Sequence, residues 1–367
     1  MKFSLDQNAS AYLNRLVRQY ELNLEASDFY NSFLTNCYDW IDRETVMQIS
    51  KEYHVSLQNA YFNAMLAALD MDPDDGELTA LIKHNHIDVV TKLEKSAYTN
   101  DPYIKNICPK PMKIGSVSLE YNTFYPYEGF LYDSSYTRGE RFPEYVRLGF
   151  FESPFRYLQI SQDDNVWMLM TPYEINTMRN DIAEAHGNVI TFGLGLGYYA
   201  YMAALKEDVT KVTVVEKDPA VIEIFEKAIL PLTGLENKIE IIEADAYDYI
   251  ERGMKTMHYD VAYVDIYRQA TDGLYCYLKT RQLAKNIKDC KFVFWIEDEI
   301  NILLNRFAVS YLANPEADAE ESDELSNLID LFKEACDNLD IELKTKEDIV
   351  SFVGNREYLD DLVNLVK

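Results

Sequence analysis

The sequence contains no long apolar run, although hydrophobic residues make up 48% of its 367 positions. A transmembrane helix needs roughly 18 or more consecutive apolar residues, and no stretch of that kind occurs. The N-terminal residues 1–7 are polar and lack the apolar core of a signal peptide. These absences predict a cytoplasmic protein that does not act at a membrane.

Basic residues and regularly spaced cysteines are also scarce. Lysine and arginine number 35 against 62 aspartate and glutamate residues, which gives a formal net charge of −27. Because nucleic-acid binding depends on neutralising phosphates, this balance opposes a DNA or RNA ligand, and it can equally serve solubility. The five cysteines (37, 108, 276, 290 and 336) are scattered. Their spacing predicts neither a disulfide framework nor a metal site.

Three regions of different texture follow one another along the chain. Residues 1–110 repeat apolar positions at helical spacing, as in Tyr12, Leu16 and Tyr20, with Asp28 and Ser56 as candidate helix N-caps. They predict a helical N-terminal domain without a catalytic constellation, available to a partner protein or a second copy of the chain. Residues 111–171 contain β-formers broken by turn residues, and strands are predicted at 117–121, 157–160 and 166–170. This region predicts a small antiparallel sheet.

Residues 172–367 alternate between predicted strands and helices. A helix begins near Pro172, and strands are predicted at 189–192, 212–216, 239–243, 261–265 and 292–296. The alternation predicts an α/β domain with a Rossmann-like, doubly wound parallel sheet. The acidic stretch 316–324 is predicted as a solvated loop, and segments 341–343 and 349–353 as a final antiparallel pair.

A glycine-rich motif joins the first predicted strand of this domain to a helix. It reads Gly193-Leu194-Gly195-Leu196-Gly197. Glycine permits a tight turn and lets a ligand approach the backbone. The dinucleotide fingerprint would require glycine at position 198, which is tyrosine here, so the motif favours an adenosyl ligand without a pyrophosphate. A plain strand-to-helix turn is the alternative interpretation.

Acidic residues end the next three predicted strands. Glu216 ends the second strand, where a carboxylate can accept hydrogen bonds from both ribose hydroxyls. Asp245, followed by Ala246, ends the third strand and can accept a hydrogen bond from the adenine amino group. Asp265 lies at the carboxyl end of the fourth strand, at the edge where open α/β sheets bind ligands.

This order of motifs resembles the class I S-adenosylmethionine-dependent methyltransferase superfamily, and within it the spermidine-synthase-like branch, over about residues 160–300. Residues 164–174 also resemble the strand-to-helix entry of spermidine synthases. The chain carries Thr191 where many methyltransferases have an acidic residue, and Met168 where spermidine synthases usually have glutamine. The resemblance implies S-adenosylmethionine as cofactor, with Asp265 at the transfer site. The implied cofactor-binding residues are Gly193, Leu194, Gly195, Gly197, Glu216, Asp245 and Ala246.

The sequence allows more than one role for each residue near the transfer site. Asp265 is the candidate catalytic base, and the alternative is that it holds the ammonium group of the donor. Tyr267, Arg268 and Glu174 are candidates for lining the acceptor pocket, and the first two can equally be ordinary loop residues. Residues 297–299 are all acidic and can form an anionic wall or a solvated helix start.

Methyl transfer to a small-molecule or protein acceptor is the predicted activity. The sulfonium of the donor is already activated, so the protein mainly has to align donor and acceptor, and no metal is needed. Two alternatives remain. One is an aminopropyltransferase that uses decarboxylated S-adenosylmethionine, and the other is a non-catalytic sensor of an adenosyl ligand.

Overall fold

The fold is given by a computed structural model that describes residues 1–136, 142, 144–163, 165–315 and 324–366. The side chains of residues 135, 136 and 324 are outside that description. The acidic stretch 316–324, predicted as a loop, lies outside the described residues except for the backbone of residue 324. No helix among the described residues is long and apolar enough to cross a membrane.

The N-terminal part of the chain is helical after one short strand. Its elements are β1 (Lys2–Phe3), α1 (Gln7–Asn36), α2 (Arg43–Tyr53), α3 (Leu57–Ala68) and α4 (Gly76–Asn85). Ser56 caps α3, as predicted, by accepting a hydrogen bond from the Asn59 amide at 3.1 Å. Asp28 lies inside α1, so the N-cap prediction there is wrong. The apolar face of α1 continues without a break to Phe33, and its burial keeps the helix intact.

The β region forms two small sheets. Its elements are β2 (Val90–Lys92), α5 (Lys95–Thr99), α6 (Pro102–Asn106), β3 (Met112–Ile114), β4 (Val117–Phe124), β5 (Phe130–Tyr136), β6 (Glu144–Phe150), β7 (Phe155–Gln162) and β8 (Asn165–Leu169). One sheet is antiparallel, in the order β3-β4-β7-β8, and contains the three predicted strands. The other has the order β2-β6-β5, with β2 parallel to β6. Residues from the predicted helical region therefore contribute a strand to the β region.

A five-stranded parallel sheet forms the centre of the C-terminal half. Its elements are α7 (Pro172–Glu184), β9 (Gly187–Phe192), α8 (Tyr198–Ala204), β10 (Val209–Glu216), α9 (Pro219–Ile224), α10 (Leu230–Thr233), β11 (Ile239–Glu243), α11 (Ala246–Arg252), β12 (Val261–Val264), α12 (Ala270–Ala284), β13 (Lys291–Phe294) and α13 (Glu297–Ala313). The strand order is β11-β10-β9-β12-β13. This is the Rossmann-type order, which reverses between β9 and β12 and opens a crevice at their carboxyl ends.

The C-terminal tail is mainly helical and returns to the N-terminus. Its elements are α14 (Glu324–Asn338), β14 (Glu342–Leu343), α15 (Lys346–Ser351) and α16 (Leu359–Leu365). The predicted antiparallel pair is wrong, because β14 pairs in parallel with β1 and residues 349–353 are helical. Thr345 and Asp348 form a capping box that starts a helix immediately after β14.

Two buried clusters make up the core. The larger one joins the parallel sheet, the antiparallel sheet and the first half of α1. The smaller one lies between the second half of α1, α2 to α4 and the β2-β6-β5 sheet, and Tyr61 stacks there on Phe150 with ring centroids 4.4 Å apart. The α6 residue Tyr103 donates a hydrogen bond to the Leu196 carbonyl at 2.5 Å. The helical region is thereby tied directly to the glycine motif.

Candidate functional site

The glycine motif forms the loop between β9 and α8, at the reversal of strand order. Gly193, Gly195 and Gly197 all adopt positive φ angles, of 96°, 50° and 74°. A Cβ atom at these positions would lie 1.9 Å from the Asp265 carbonyl oxygen, 2.0 Å from the Met168 sulfur and 2.1 Å from a ring carbon of Phe225, respectively. The positive φ angles favour glycine at all three positions. The packing is strictest at Gly193, where the close atom belongs to the backbone, and least strict at Gly195, where it belongs to the flexible Met168 side chain.

Glu216 fastens this loop to the end of β10. Its carboxylate is buried and accepts hydrogen bonds from the Leu194 amide at 3.0 Å, the Lys217 amide at 2.7 Å and the Asp218 amide at 2.8 Å. A carboxylate has about four acceptor positions, so three are occupied by the protein itself. About one position remains, whereas the sequence interpretation assigned hydrogen bonds from both ribose hydroxyls to Glu216. The ribose contact stays a prediction.

A narrow cavity lies between the glycine loop, the end of β12 and the start of α7. Its charged lining residues, within the described part of the chain, are Glu174 and Asp265. Burial, with negative charge from Asp181 and Glu216, raises the pKa of Asp265 to about 8. Burial, with negative charge from Asp265 and Glu299, raises the pKa of Glu174 well above its ordinary value. The cavity thus holds carboxyl groups whose ionised form a nearby cation would favour.

More acidic side chains surround these two. Burial, together with the charges of Glu297, Asp298 and Glu184, raises the pKa of Asp181 to about 7. Glu299 accepts hydrogen bonds from the Ser134 hydroxyl, at 2.5 Å, and from the Tyr173 hydroxyl. A group of acidic side chains therefore lies near the carboxyl edge of the sheet. It is named here the acidic edge and consists of Glu174, Asp181, Asp265, Glu297 and Glu299.

Two stacked tyrosines form one wall of the cavity. The rings of Tyr199 and Tyr263 lie 3.7 Å apart between centroids and are inclined by only 9°. Their hydroxyl groups are buried and have no hydrogen-bond partner among the described residues. A buried polar group without a partner is costly, so a bound ligand or water molecule is expected to complete it.

The cavity is nearly filled by its own side chains. Its volume is about 20 Å³, room for about one water molecule. Met168, from β8, lines it and packs against Gly195. Methionine has three rotatable bonds and adapts readily, so a shift of this side chain is the least costly way to admit a ligand.

The structure brings together only part of the predicted site. Gly193, Leu194, Glu174 and Asp265 line one cavity, while the other candidates do not line it. Asp245 is exposed and caps α11 by accepting hydrogen bonds from the Tyr247 and Asp248 amides, and Ala246 begins that helix. The adenine contact proposed for Asp245 and Ala246 stays a prediction.

The two loop candidates after Asp265 face different surroundings. Tyr267 is buried, stacks on Trp295 and donates a hydrogen bond to the Trp295 carbonyl. Arg268 is exposed, and its amide donates a hydrogen bond to Asp272 at 3.2 Å. Their part in an acceptor pocket stays a prediction.

Sequence reasoning missed Asp181, Tyr199 and Tyr263. Asp181 lies seven residues after Glu174 on α7, a spacing of two turns that places both acids on one helix face, and this signal was available. Tyr199 follows the glycine motif directly, and Tyr263 lies two residues before Asp265. Only the packing of α8 against the sheet shows that the two rings meet.

Within the described residues, no group of three or more metal-ligating side chains can hold a metal ion.

Comparisons with known proteins give distant structural likenesses only. No protein-family model matches the chain, and no curated protein does. The chain is similar to a spermidine synthase from Thermotoga maritima, at 15% identity and a TM-score of 0.29, over 41% of this chain and 59% of that one. It is also similar to a spermidine synthase in complex with the transition-state analogue AdoDATO, with the same identity and TM-score over 41% and 58%.

A third solved structure is an O-methyltransferase from Klebsiella pneumoniae. It shares 15% identity at a TM-score of 0.27, over 45% of this chain and 66% of that one. The chain therefore covers less than two thirds of the length of each of these proteins. Since all three TM-scores lie below 0.5, the functional proposal rests on the strand order and the site.

Proposed function

We propose that this protein is a transferase that binds an adenosyl sulfonium donor at the glycine loop, with methyl transfer from S-adenosylmethionine as its first candidate activity. One observation carries the proposal. The carboxyl groups of Glu174 and Asp265 lie in the crevice beside the loop of three glycines with positive φ angles, and no basic residue among the described residues lines that cavity. A positively charged sulfonium complements these carboxylates.

The acceptor that fits this site is an amine on a small molecule or a protein side chain. An ammonium group is attracted to the acidic edge, and Asp265, once ionised, can accept the proton that an amine must lose before it attacks. Transfer in this scheme needs an in-line arrangement of donor and acceptor. Asp265 is then a catalytic residue and Glu174 a binding residue.

Aminopropyl transfer is the second candidate, and the sign of the charge favours it. S-adenosylmethionine carries a carboxylate that would lie among carboxyl groups. Decarboxylated S-adenosylmethionine lacks it and carries two positive charges. The absence of a basic lining residue in the described part of the cavity suits the decarboxylated donor better.

Calorimetry followed by a transfer assay tests the proposal. S-adenosylmethionine, decarboxylated S-adenosylmethionine and NAD are titrated in parallel, and at least one sulfonium should bind while NAD does not. Glu174→Gln should weaken sulfonium binding, whereas the matched change Glu184→Gln, at an exposed position of the same helix, should not. Binding of NAD alone would contradict the proposal.

Turnover separates the candidate activities. Methyl label that passes from S-adenosylmethionine to a component of a cell extract supports methyl transfer. Release of methylthioadenosine from the decarboxylated donor supports aminopropyl transfer. At saturating donor, Asp265→Asn should reduce the rate by about 10²–10⁴ if Asp265 is the base. Binding without any turnover across a broad extract would support the sensor alternative instead.

A further inference from the structure

A second cavity lies among the helices, outside the glycine-loop site. It has a volume of about 420 Å³ and is formed by the first half of α1, the last turn of α4 and the start of α15. Small-molecule sites commonly measure roughly 300–1,000 Å³. The cavity therefore has room for a small organic molecule without any rearrangement.

The lining of this cavity is basic, whereas the whole protein carries a net negative charge. Acidic residues outnumber lysine and arginine by 62 to 35 in the chain. Nevertheless the lining contains Arg15, Arg18, His84 and Lys346, and no acidic residue of the described chain lines it. Within an acidic protein, such a cavity is a local site of attraction for an anion.

Two of these cations converge on one aromatic ring. The Arg15 guanidinium carbon lies 5.9 Å and the Lys346 ammonium nitrogen 5.4 Å from the centroid of the Tyr12 ring. Each cation is attracted to the ring, so two positive charges lie within 6 Å of one point of the cavity wall. An anion bound beside Tyr12 would interact favourably with both cations.

The remaining basic residues contribute less. Arg18 is exposed and already pairs with Glu21 at 3.1 Å and Glu25 at 3.2 Å, so its charge is partly compensated. His84 adds a positive charge only when it is protonated. Arg15 and Lys346 both lie at the Tyr12 ring, and the anion site is assigned to them because of this shared position.

The other part of the lining is apolar. The buried ring of Tyr12 and the buried side chains of Leu16 and Leu22 line the cavity together with the basic residues. Inorganic phosphate alone would leave this apolar surface uncovered. A ligand with both an anionic group and an apolar body uses all of the lining.

We infer that the cavity between α1, α4 and α15 binds a small organic molecule that carries a phosphate group on an apolar or aromatic body. A phosphate monoester has close to two negative charges at neutral pH and several acceptor oxygens, so it can engage the Arg15 fork and the Lys346 ammonium together. The body of the ligand then lies against Tyr12, Leu16 and Leu22.

Calorimetry on the full chain with three probes tests this inference. Phenyl phosphate carries both features, inorganic phosphate only the charge, and phenol only the apolar body. Phenyl phosphate should bind at least about tenfold more tightly than either of the others, and its affinity should fall as salt is added. Equal affinities for phenyl phosphate and phenol would overturn the assignment of an anion site. Equal affinities for phenyl phosphate and inorganic phosphate would overturn the inference that the ligand has an apolar body in contact with the cavity.

Variants locate the binding. Arg15→Gln and Lys346→Gln should each weaken phenyl phosphate about tenfold or more, the loss typical of a charged hydrogen-bond partner. Arg15 is exposed, so its replacement leaves the core unchanged. The control is Arg252→Gln, which removes an equally charged exposed side chain at the end of α11 and should leave binding unchanged. Undiminished binding in both test variants would overturn the inference.

Discussion

Ionisation of the acidic edge should decide how well the glycine-loop cavity distinguishes a sulfonium from a thioether. The pKa of Asp265 is raised to about 8 and that of Asp181 to about 7. A cation bound beside Asp265 favours the ionised carboxylate, so binding below pH 8 releases a proton. The affinity for a cation should therefore rise with pH by about tenfold per unit up to about pH 8 and level off above it.

Methylthioadenosine and its S-methylated sulfonium are the probes for this effect. They share one adenosine body and differ in charge, and neither titrates between about pH 6 and pH 9. The ratio of their dissociation constants, measured by calorimetry at constant ionic strength, isolates the contribution of the charge. From pH 6 to pH 8 the preference for the sulfonium should increase roughly a hundredfold, since about one proton is released per binding event.

Variants and a ligand-free measurement complete the test. Asp265→Asn should flatten the pH dependence, and Asp330→Asn, at an exposed position of α14, should not. A carboxyl with a raised pKa in the folded state binds more protons there than in the unfolded chain, so its ionisation destabilises the fold as the pH rises from about 4 to 8. The urea midpoint of Asp265→Asn should accordingly exceed that of the unchanged protein at pH 9 but not at pH 4. A preference for the sulfonium that stays constant from pH 6 to pH 9 would refute the reasoning.

Four further outcomes are expected. Gly197→Ala should destabilise the fold by about 2–4 kcal/mol in urea unfolding, because the new methyl group overlaps the Phe225 ring at a positive φ angle. Glu216→Gln should lower stability by about 1–3 kcal/mol even without ligand, since an amide cannot replace all three accepted hydrogen bonds. Met168→Ala should enlarge the cavity and speed association of methylthioadenosine in stopped-flow fluorescence. No salt-sensitive gel shift should occur with tRNA or duplex DNA at about 150 mM salt, given the net charge of −27.

Each outcome has a direct control. Gly234→Ala also introduces a side chain at positive φ, but into open space, so it should cost only about 1–2 kcal/mol. Equal losses at Gly197 and Gly234 would show that packing against Phe225 does not matter. Met257→Ala, at an exposed position, should leave association rates unchanged. A Glu216→Gln variant that is as stable as the unchanged protein would mean that Glu216 does not fasten the loop. A tight, salt-sensitive shift with nucleic acid would point to a basic surface that the net charge conceals.

The sheet could be predicted from the sequence because its signals are local. Each of the five strands is a short apolar run bounded by turn residues, and their alternation with helices implies the parallel pairing that is observed. The glycine loop was equally readable, since positive φ angles at alternate positions leave few other residue choices. The antiparallel pair predicted for the tail was wrong because another local signal, a helix cap, was overlooked. Residues 349–353 suit a strand by composition, but the capping box of Thr345 and Asp348 starts a helix.

The site was only half predictable because its chemistry comes from packing. Asp265 and the glycine motif belong to strand ends, whose common edge follows from a parallel sheet. Glu174 could be named from the sequence, and its spacing from Asp181 indicated a shared helix face, but nothing local shows that Tyr199 on α8 meets Tyr263 at the cavity. Tyr267 lies close to Asp265 in the sequence, yet its hydroxyl donates its hydrogen bond to the Trp295 carbonyl. The division of the chain into three regions stays a prediction. A strand of the first predicted region, β2, pairs with β6 of the second.

The cost of the acidic edge is itself an argument for a bound cation. Burial raises the pKa of Glu174, Asp181 and Asp265, and the charge of Asp181 adds to the shift of Asp265 as the charge of Asp265 adds to that of Glu174. Two tyrosine hydroxyls beside them are buried without partners among the described residues. Apolar side chains in these positions would make a more stable core. A sulfonium or ammonium in the cavity would reverse the effect, because it favours the ionised form of each carboxyl group. Charge complementarity between the carboxyl groups and a cation accounts for binding and not for turnover, since a sensor would need the same complementarity. The transfer assay with Asp265→Asn is therefore the measurement that distinguishes an enzyme from a receptor.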